Sequence, residues 1–227
     1  MTAPLSLAPN LTEQATAQLR RAILATRLAP GATISESGVA DLTGLGKAPV
    51  RAALARLADE GLVQPLPRRG WVVSPVTVRD IHEVFGLRAL IEPEAARLAA
   101  GRVDAAALEQ LDAVCRCGYD PSDAESALAF LEANTAFHVA VAELGGNRRL
   151  ARTLARLLDE AARMLVLGLS ARDRTGEMQT EHGTLIAALV AGDGDAAAHA
   201  AAAEIAASRA MVTEALLNPC STARVGA

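Results

Sequence analysis

The sequence predicts a mainly α-helical protein, with three short N-terminal helices, one small β-hairpin and then an all-helical bundle. The first observation is composition: the 227 residues are 51% hydrophobic but only 2% aromatic, and alanine and leucine, both strong helix formers, dominate. The second is periodicity, because apolar residues recur at helical spacing except in two extended runs near residues 62–74. This apolar content is sufficient for two modest domains with buried cores.

Three helices are predicted in the first 61 residues. Thr12 is interpreted as the N-cap of the first helix, and Pro30-Gly31 ends its apolar run. Ser35 is interpreted as the N-cap of the second, because a hydroxyl there accepts a free backbone N–H. Pro49 is compatible with the first turn of the third, where a missing N–H costs no hydrogen bond. The helices are expected at about 12–27, from Ser35 to near Gly44, and from Lys47 to near Gly61.

A β-hairpin is predicted directly after the third helix. Residues 62–66 and 70–74 are extended-type runs, and Pro67-Arg68-Arg69-Gly70 separates them as a turn with a basic tip. Helix, short turn, helix and then a basic hairpin is the order of a winged helix-turn-helix, a module that binds DNA.

From Thr77 onward the sequence predicts helices alone. Pro93 is expected to kink or break the first of them, because proline lacks a backbone N–H. Glycine-containing breaks separate the others. These helices are expected at about 77–100, 104–117, 122–144, 147–171, 174–191 and 194–217.

The elements divide the chain into two expected domains. The boundary is expected near Ser74-Pro75, after the hairpin. Both ends of the chain lack periodicity, and we expect them to be flexible tails. The expected division is a tail at 1–11, a winged helix-turn-helix domain at 12–75, a helical effector-binding and dimerisation domain at 76–218, and a tail at 219–227.

Charge is distributed unevenly between these domains. The whole chain has a net charge of -4, but residues 1–75 carry eight basic and five acidic side chains, a net charge of +3, which leaves -7 for the remainder. A basic head on an acidic body confines the attraction for phosphate to one end of the protein. This distribution favours a DNA-binding module attached to a second domain.

Several classes of protein are not expected. No apolar run is long enough for a membrane span and the N-terminus has no secretory pattern, so we expect a cytoplasmic protein without a membrane partner. Cys115, Cys117 and Cys220 fit neither a disulfide framework nor a zinc finger, and are interpreted as buried or incidental thiols. No nucleophile elbow, phosphate loop or acid–base pair is found, so an enzyme is not expected.

The start of the third helix is the predicted DNA-reading segment. Lys47 and Arg51 are four residues apart and share one helix face. Arg51 has the geometry to hold a guanine through two hydrogen bonds, whereas Lys47 acts as a point charge. The alternative for each basic residue is a solvated surface charge. The residues expected to contact DNA are Ser35, Lys47, Ala48, Pro49, Arg51, Arg56, Arg68, Arg69 and Gly70.

These residues stand within a longer pattern that resembles the DNA-binding domain of GntR-type bacterial regulators. The resemblance implies sequence-specific DNA binding, and the symmetry of DNA implies a homodimer on a palindromic operator. Ser37 and Lys47 stand where arginines are common in that family, so the operator sequence is not implied. The pattern comprises Leu28–Gly31, Ser35-Glu36, Val39-Ala40, Leu42–Arg51, Ala53-Leu54, Leu57, Glu60–Val63 and Gly70.

The helical part is similar to the FCD-type effector domain of the FadR branch of that family. The resemblance implies a small-molecule effector, often an organic acid, and in many members a divalent metal. The residues at the metal-binding positions of the family are Asn134, His138, His182 and Glu204. The similarity is carried by Asp80-Ile81, Phe85, Leu87-Arg88, Leu90–Glu92, Ala95-Ala96, Phe137-His138, Gly146-Asn147, Leu150, Glu181-His182, Ile186–Leu189, Gly192-Asp193 and Ala197.

Two of these four metal positions depart from the family. Asn134 keeps an oxygen donor without its charge, while Glu204 supplies a carboxylate, so two histidines and oxygen donors suit Zn²⁺ or a similar ion. The alternative is a metal-free polar pocket in which the same four residues bind the effector. His199 is not an expected ligand, because it lies about 140° around the helix from Glu204.

Arg88 is a candidate clamp for the carboxylate of an acidic effector. Its alternative role is an ion pair with Glu92, one helical turn away. The leading hypothesis is therefore an effector-controlled transcriptional regulator, with Arg88, Asn134, His138, His182 and Glu204 as the effector site. The rivals are a metal-dependent helical-bundle enzyme and a helical interaction protein without affinity for DNA.

Overall fold

The computed structural model describes residues 10–218. The rest of the predicted tails, 1–9 and 219–227 with Cys220, lies outside the described residues. The chain divides into two compact units, and the boundary lies between Pro75 and Val76. The first combines helices with a small antiparallel sheet and the second is helical, so the predicted fold class is confirmed.

The N-terminal unit contains a three-stranded sheet where the sequence predicted a hairpin. The sheet order is β1-β3-β2, and the added strand pairs antiparallel with β3 through Thr33 opposite Val72 and Ile34 opposite Trp71. Two residues are too few to show the alternation that marks a strand, so the sequence did not predict β1. The elements are α1 Leu11–Leu24, β1 Thr33–Ile34, α2 Glu36–Thr43, α3 Lys47–Asp59, β2 Val63–Leu66 and β3 Gly70–Val73.

The N-cap predicted for α1 was wrong. Asn10, not Thr12, caps the helix: its side chain accepts the N–H of Glu13, and the Glu13 carboxylate accepts the N–H of Asn10, both at 2.9 Å. This reciprocal capping box satisfies two backbone donors at once, which explains why the helix starts earlier than predicted. Asn10 and Leu11 therefore belong to the start of α1. The helix also ends earlier, at Leu24, and Thr26 has a positive φ of 55°.

Gly70 is required where β3 begins. Its φ is +98°, and a Cβ atom at this position would lie 2.5 Å from the carbonyl oxygen of Ile34. The close approach of β1 to β3 therefore leaves no room for a side chain. Behind the sheet, α1 and α3 pack Leu19, Ile23 and Leu54 into the core of this unit.

The C-terminal unit consists of six helices within the described residues. Their bounds lie within two residues of the predicted ones. Pro93 does not break α4, because buried residues on both sides of it, Phe85 and Ala95 among them, hold the helix in the core. The helices are α4 Val78–Ala99, α5 Ala105–Arg116, α6 Ala124–Leu144, α7 Arg148–Ala171, α8 Thr175–Ala191 and α9 Gly194–Leu217.

Helix α6 lies in the core of this unit. By length and composition it is the one helix among residues 10–218 that is apolar enough to cross a membrane, and half of its apolar window is buried. Its buried face combines Phe137 with the polar residues Asn134 and His138. Polar residues on the buried face of an apolar helix point to a functional site in the interior.

Candidate functional sites

The first candidate site is the exposed face at the start of α3. Lys47, Ala48 and Arg51 are exposed, whereas Val50 and Leu54 are buried in the core. Gly46 occupies the N-cap position without a side-chain hydrogen bond. The buried positions thus fix the helix and turn its basic residues outward, as the spacing predicted.

Arg51 is tied to Glu36, the first residue of α2. Its Nε donates to Oε1 at 2.9 Å, and its Nη2 donates to Oε2 at 2.7 Å. The hydrogen bond from Arg51 lowers the pKa of the Glu36 carboxyl, and Trp71 contributes a further hydrogen bond. The bidentate grip on guanine predicted for Arg51 therefore competes with this pair, because two of its donating nitrogens are already engaged.

The other predicted DNA contacts also lie in this unit. Ser35 caps α2 by accepting the N–H of Gly38 at 3.1 Å. Arg68 and Arg69 are exposed in the turn between β2 and β3, and Arg68 has a positive φ of 64°. Pro49 and Arg56 border an open cavity of about 570 Å³ together with Ala48 and the start of α1.

The second candidate site is a buried polar cluster in the helical unit. His138 of α6, His182 of α8 and Glu204 of α9 are each at least 95% buried, and one potential ligand atom from each lies within 4.8 Å of the others. Oε1 of Glu204 is 2.9 Å from Nε2 of His138 and 3.7 Å from Nε2 of His182. The structure thus brings together three of the four predicted metal ligands.

Several polar atoms of this cluster have no hydrogen-bond partner. Nε2 of His138 is within ion-pair distance of Glu204, but the contact does not have the angles of a hydrogen bond. Asn134, the fourth predicted ligand, is buried one turn before His138. Buried polar atoms are normally satisfied, so this concentration of unpartnered nitrogen and oxygen atoms, all of them potential metal ligands, fits a cation. The unpartnered atoms are Asn134 Oδ1, His138 Nε2, His182 Nε2 and Glu204 Oε2.

Arg88 and Glu92 of α4 adjoin the cluster. Nε of Arg88 donates to Oε1 of Glu92 at 2.5 Å, so the ion pair considered as an alternative is present. Oε2 of Glu92 lies 3.7 Å from Nδ1 of His138. Nη1 of Arg88 is buried and has no hydrogen-bond partner, which leaves one guanidinium nitrogen for an anion. Its role as a clamp and the ion pair are therefore compatible.

Asp112 of α5 was not predicted as a site residue. Its Oδ1 lies 2.7 Å from Nδ1 of His182, and its Oδ2 lies 3.2 Å from Nη1 of Arg116. A sequence signal existed: Asp112 stands between Leu108 and Cys115 on the buried face of an amphipathic helix. A carboxylate on such a face requires a partner, and His182 supplies it.

The charges within the cluster shift the pKa values of its members. Burial alone would lower the pKa of His182, but its interactions with the neighbouring side chains of Cys115, Glu204 and Asp112 raise it to about 10. Burial alone would raise the pKa of Glu204, but His138 and His182 together hold it far below its ordinary value. A cation that binds here must therefore displace a proton from His182.

Comparison with known proteins gives a matching family model for each unit. The family model "Bacterial regulatory proteins, gntR family" matches residues 11–73, and the model "FCD domain" matches residues 83–207. An uncharacterised HTH-type transcriptional regulator in an unstable DNA locus of Streptomyces ambofaciens is 31% identical over 177 residues, 78% of this chain and 74% of the relative. A probable D-xylose utilization operon transcriptional repressor of Paenarthrobacter nicotinovorans is 30% identical over 182 residues, 80% of this chain and 79% of the relative.

Solved structures share the fold of the chain. E. coli McbR/YncC superposes with a TM-score of 0.72, at 23% identity, over 90% of this chain and 98% of the other. A putative GntR transcriptional regulator from Rhodococcus sp. RHA1 has a TM-score of 0.69, at 24% identity, over 89% of this chain and 97% of the other. At these identities the similarity shows a common fold.

Proposed function

The chain belongs to the gntR family of bacterial regulatory proteins and is a transcriptional regulator with an FCD domain, and we propose that a small organic acid bound in its helical unit controls its affinity for DNA. The observation that carries this proposal is the set of unpartnered polar atoms around His138, His182 and Glu204. A ligand that satisfies them stabilises whichever conformation holds them in this arrangement. Control of DNA binding requires that the ligand bind two conformations with different affinities.

A divalent cation such as Zn²⁺ belongs to this proposal. His138, His182 and Glu204 would hold it, and Asn134 offers a further oxygen, a donor set that suits zinc. When bound, the ion supplies a positive charge that attracts a carboxylate. The alternative is that the same residues bind the effector without metal, and elemental analysis of the purified protein, before and after treatment with a chelator, separates the two.

Arg88 gives the site its preference for an acid. Nη1 is the buried guanidinium nitrogen without a hydrogen-bond partner, and a carboxylate would accept its N–H. Glu92 keeps the guanidinium in place through Nε. A neutral oxygen could also accept this N–H, but a carboxylate adds a negative charge, and hydrogen bonds between charged groups are roughly twice as strong as those between neutral groups.

The basic face at the start of α3 is the proposed DNA-reading surface. Lys47, Ala48 and Arg51 are exposed there, and Arg68 and Arg69 extend from the turn of the sheet. We propose a cytoplasmic homodimer on a palindromic operator, because two identical heads on a twofold axis match a symmetric site.

The test is a binding assay combined with a ligand screen. Fluorescence anisotropy with the duplex upstream of its own gene measures affinity for DNA, and a melting-temperature screen against small carboxylic acids identifies candidate effectors. We expect specific, salt-sensitive DNA binding that changes when a stabilising acid is added. Acids that raise the melting temperature without any change in DNA affinity would refute control by the effector.

A further inference from the structure

His182 lies between two sets of potential metal ligands. On its Nε2 side are His138 and Glu204, with Oε1 of Glu204 at 3.7 Å. On its Nδ1 side is Asp112, which forms a second set with Cys115 and His182, and the ligand atoms of that set also lie within 4.8 Å of one another. All five residues are buried. The two sets contain different donors, because the second includes a thiol.

The hydrogen bonds of the imidazole distinguish the two sets. Nδ1 is engaged with Asp112 at 2.7 Å, and the other oxygen of Asp112 pairs with Arg116 at 3.2 Å. A cation on this side would have to break the first of these contacts. Nε2 has no hydrogen-bond partner, and neither has Oε2 of Glu204. The potential ligand atoms without a hydrogen-bond partner are therefore on the side of His138 and Glu204.

We propose that Asp112 is a positioning residue for the metal centre: its carboxylate accepts the N–H of His182 Nδ1 and so directs the Nε2 lone pair toward a cation shared with His138 and Glu204. Cys115 is not a ligand of that cation. This inference rests on the metal centre in the proposed function. A carboxylate behind a ligating histidine fixes the ring and makes it a better donor.

Side chains from two helices hold the Asp112 carboxylate: Arg116 of α5 and His182 of α8. Nη2 of Arg116 donates to the carbonyl of Glu109 at 3.1 Å, which keeps the guanidinium against the last turns of α5. Nε2 of Gln179 donates to the carbonyl of Arg116 at 2.9 Å and ties α5 to α8, the helix that carries His182. This hydrogen bond between α5 and α8 helps to hold the helix of Asp112 against the helix of His182.

The experiment measures Zn²⁺ affinity of the full chain by competition with a chromogenic chelator. We expect Asp112→Asn to bind Zn²⁺ about 10–100-fold more weakly than wild type, and His182→Ala to lose binding. Glu109→Gln, an exposed carboxylate on the same helix, is the matched control and should bind as wild type. Melting temperatures without metal report whether each variant is folded.

A second measurement identifies the donor set even if Asp112→Asn fails to fold. Co²⁺ bound to wild type should lack the strong near-ultraviolet charge-transfer band of a cobalt–thiolate bond, and Cys115→Ser should bind Zn²⁺ as tightly as wild type. A thiolate band, or loss of binding in Cys115→Ser, would overturn the proposal in favour of the other set. Wild-type affinity in folded Asp112→Asn would overturn the role of Asp112 and leave the metal centre standing. No binding by wild type would overturn both.

Discussion

Arg51 on the predicted DNA-reading helix is hydrogen-bonded to Glu36 on the preceding helix, with Nη2 2.7 Å from Oε2. The pair joins the two helices of the motif. It also places a carboxylate beside the surface on which DNA phosphates would lie. Substitution of Glu36 tests both effects.

Glu36→Gln should increase the affinity for any duplex. The substitution releases the Arg51 guanidinium and removes a negative charge from the binding face, so attraction for phosphate rises. Fluorescence anisotropy at several salt concentrations measures this effect. Glu60→Gln, which removes the ion-pair partner of Arg20 in the same unit, is the control. Weaker binding by Glu36→Gln would show instead that the pair prepares Arg51 for DNA.

Lys47→Ala should weaken binding nearly equally on all sequences. An exposed ammonium acts as a point charge on phosphate. Its loss should reduce the steepness of the plot of log affinity against log salt concentration by about one. Arg79→Ala removes the same charge from an exposed position of the helical unit and should leave DNA binding unchanged. Equal effects of the two substitutions would show that net charge alone, and not the α3 face, attracts DNA.

Gly70→Ala should destabilise the N-terminal unit by about 1–3 kcal/mol or more, because backbone strain at positive φ adds to the clash with Ile34. Gly61 has a similar φ of +76° but open space around it. Gly61→Ala should therefore cost only about 1 kcal/mol. Urea denaturation of both variants gives the comparison. Equal losses would mean that β1 moves away from β3 without cost.

Arg88→Met should destabilise the helical unit by about 3–5 kcal/mol, because it leaves the buried Glu92 carboxylate without its partner. The double variant Arg88→Met/Glu92→Leu removes both charges and should recover much of that loss. Denaturant unfolding of the wild type, the single variant and the double variant measures the difference. Additive losses in the double variant would contradict a coupled pair.

Zn²⁺ should raise the melting temperature of wild type but not of His138→Ala. At a free concentration 100-fold above the dissociation constant, a ligand specific for the folded state adds about 2.7 kcal/mol. His199→Ala is the matched control, since this exposed histidine binds the carbonyl of Asp195 on its own helix. A chelator should reverse the rise. Stabilisation of His138→Ala as large as that of wild type would place the cation elsewhere.

The helices could be predicted from the sequence because their signals are local. Periodicity, N-caps and glycine stops lie within a few residues of the ends that they mark, and the bounds of α4–α9 were predicted to within two residues. An element without a local signal was not predicted. β1 exists only because Thr33 and Ile34 pair with a strand almost forty residues later, and no local pattern in a two-residue strand indicates this.

For the polar centre, the sequence by itself selected the candidate residues: His138 with Asn134 one turn before it, and His182 and Glu204 through the resemblance to the FCD domain. Spacing along a helix shows only that two side chains share a face. Packing of α4, α5, α6, α8 and α9 decided the partner of each atom, including Asp112 behind His182 and Glu92 beside His138. A hydrogen bond between two helices forms or fails when the distance between donor and acceptor changes by a few tenths of an ångström. Only the tertiary structure determines distances to that precision.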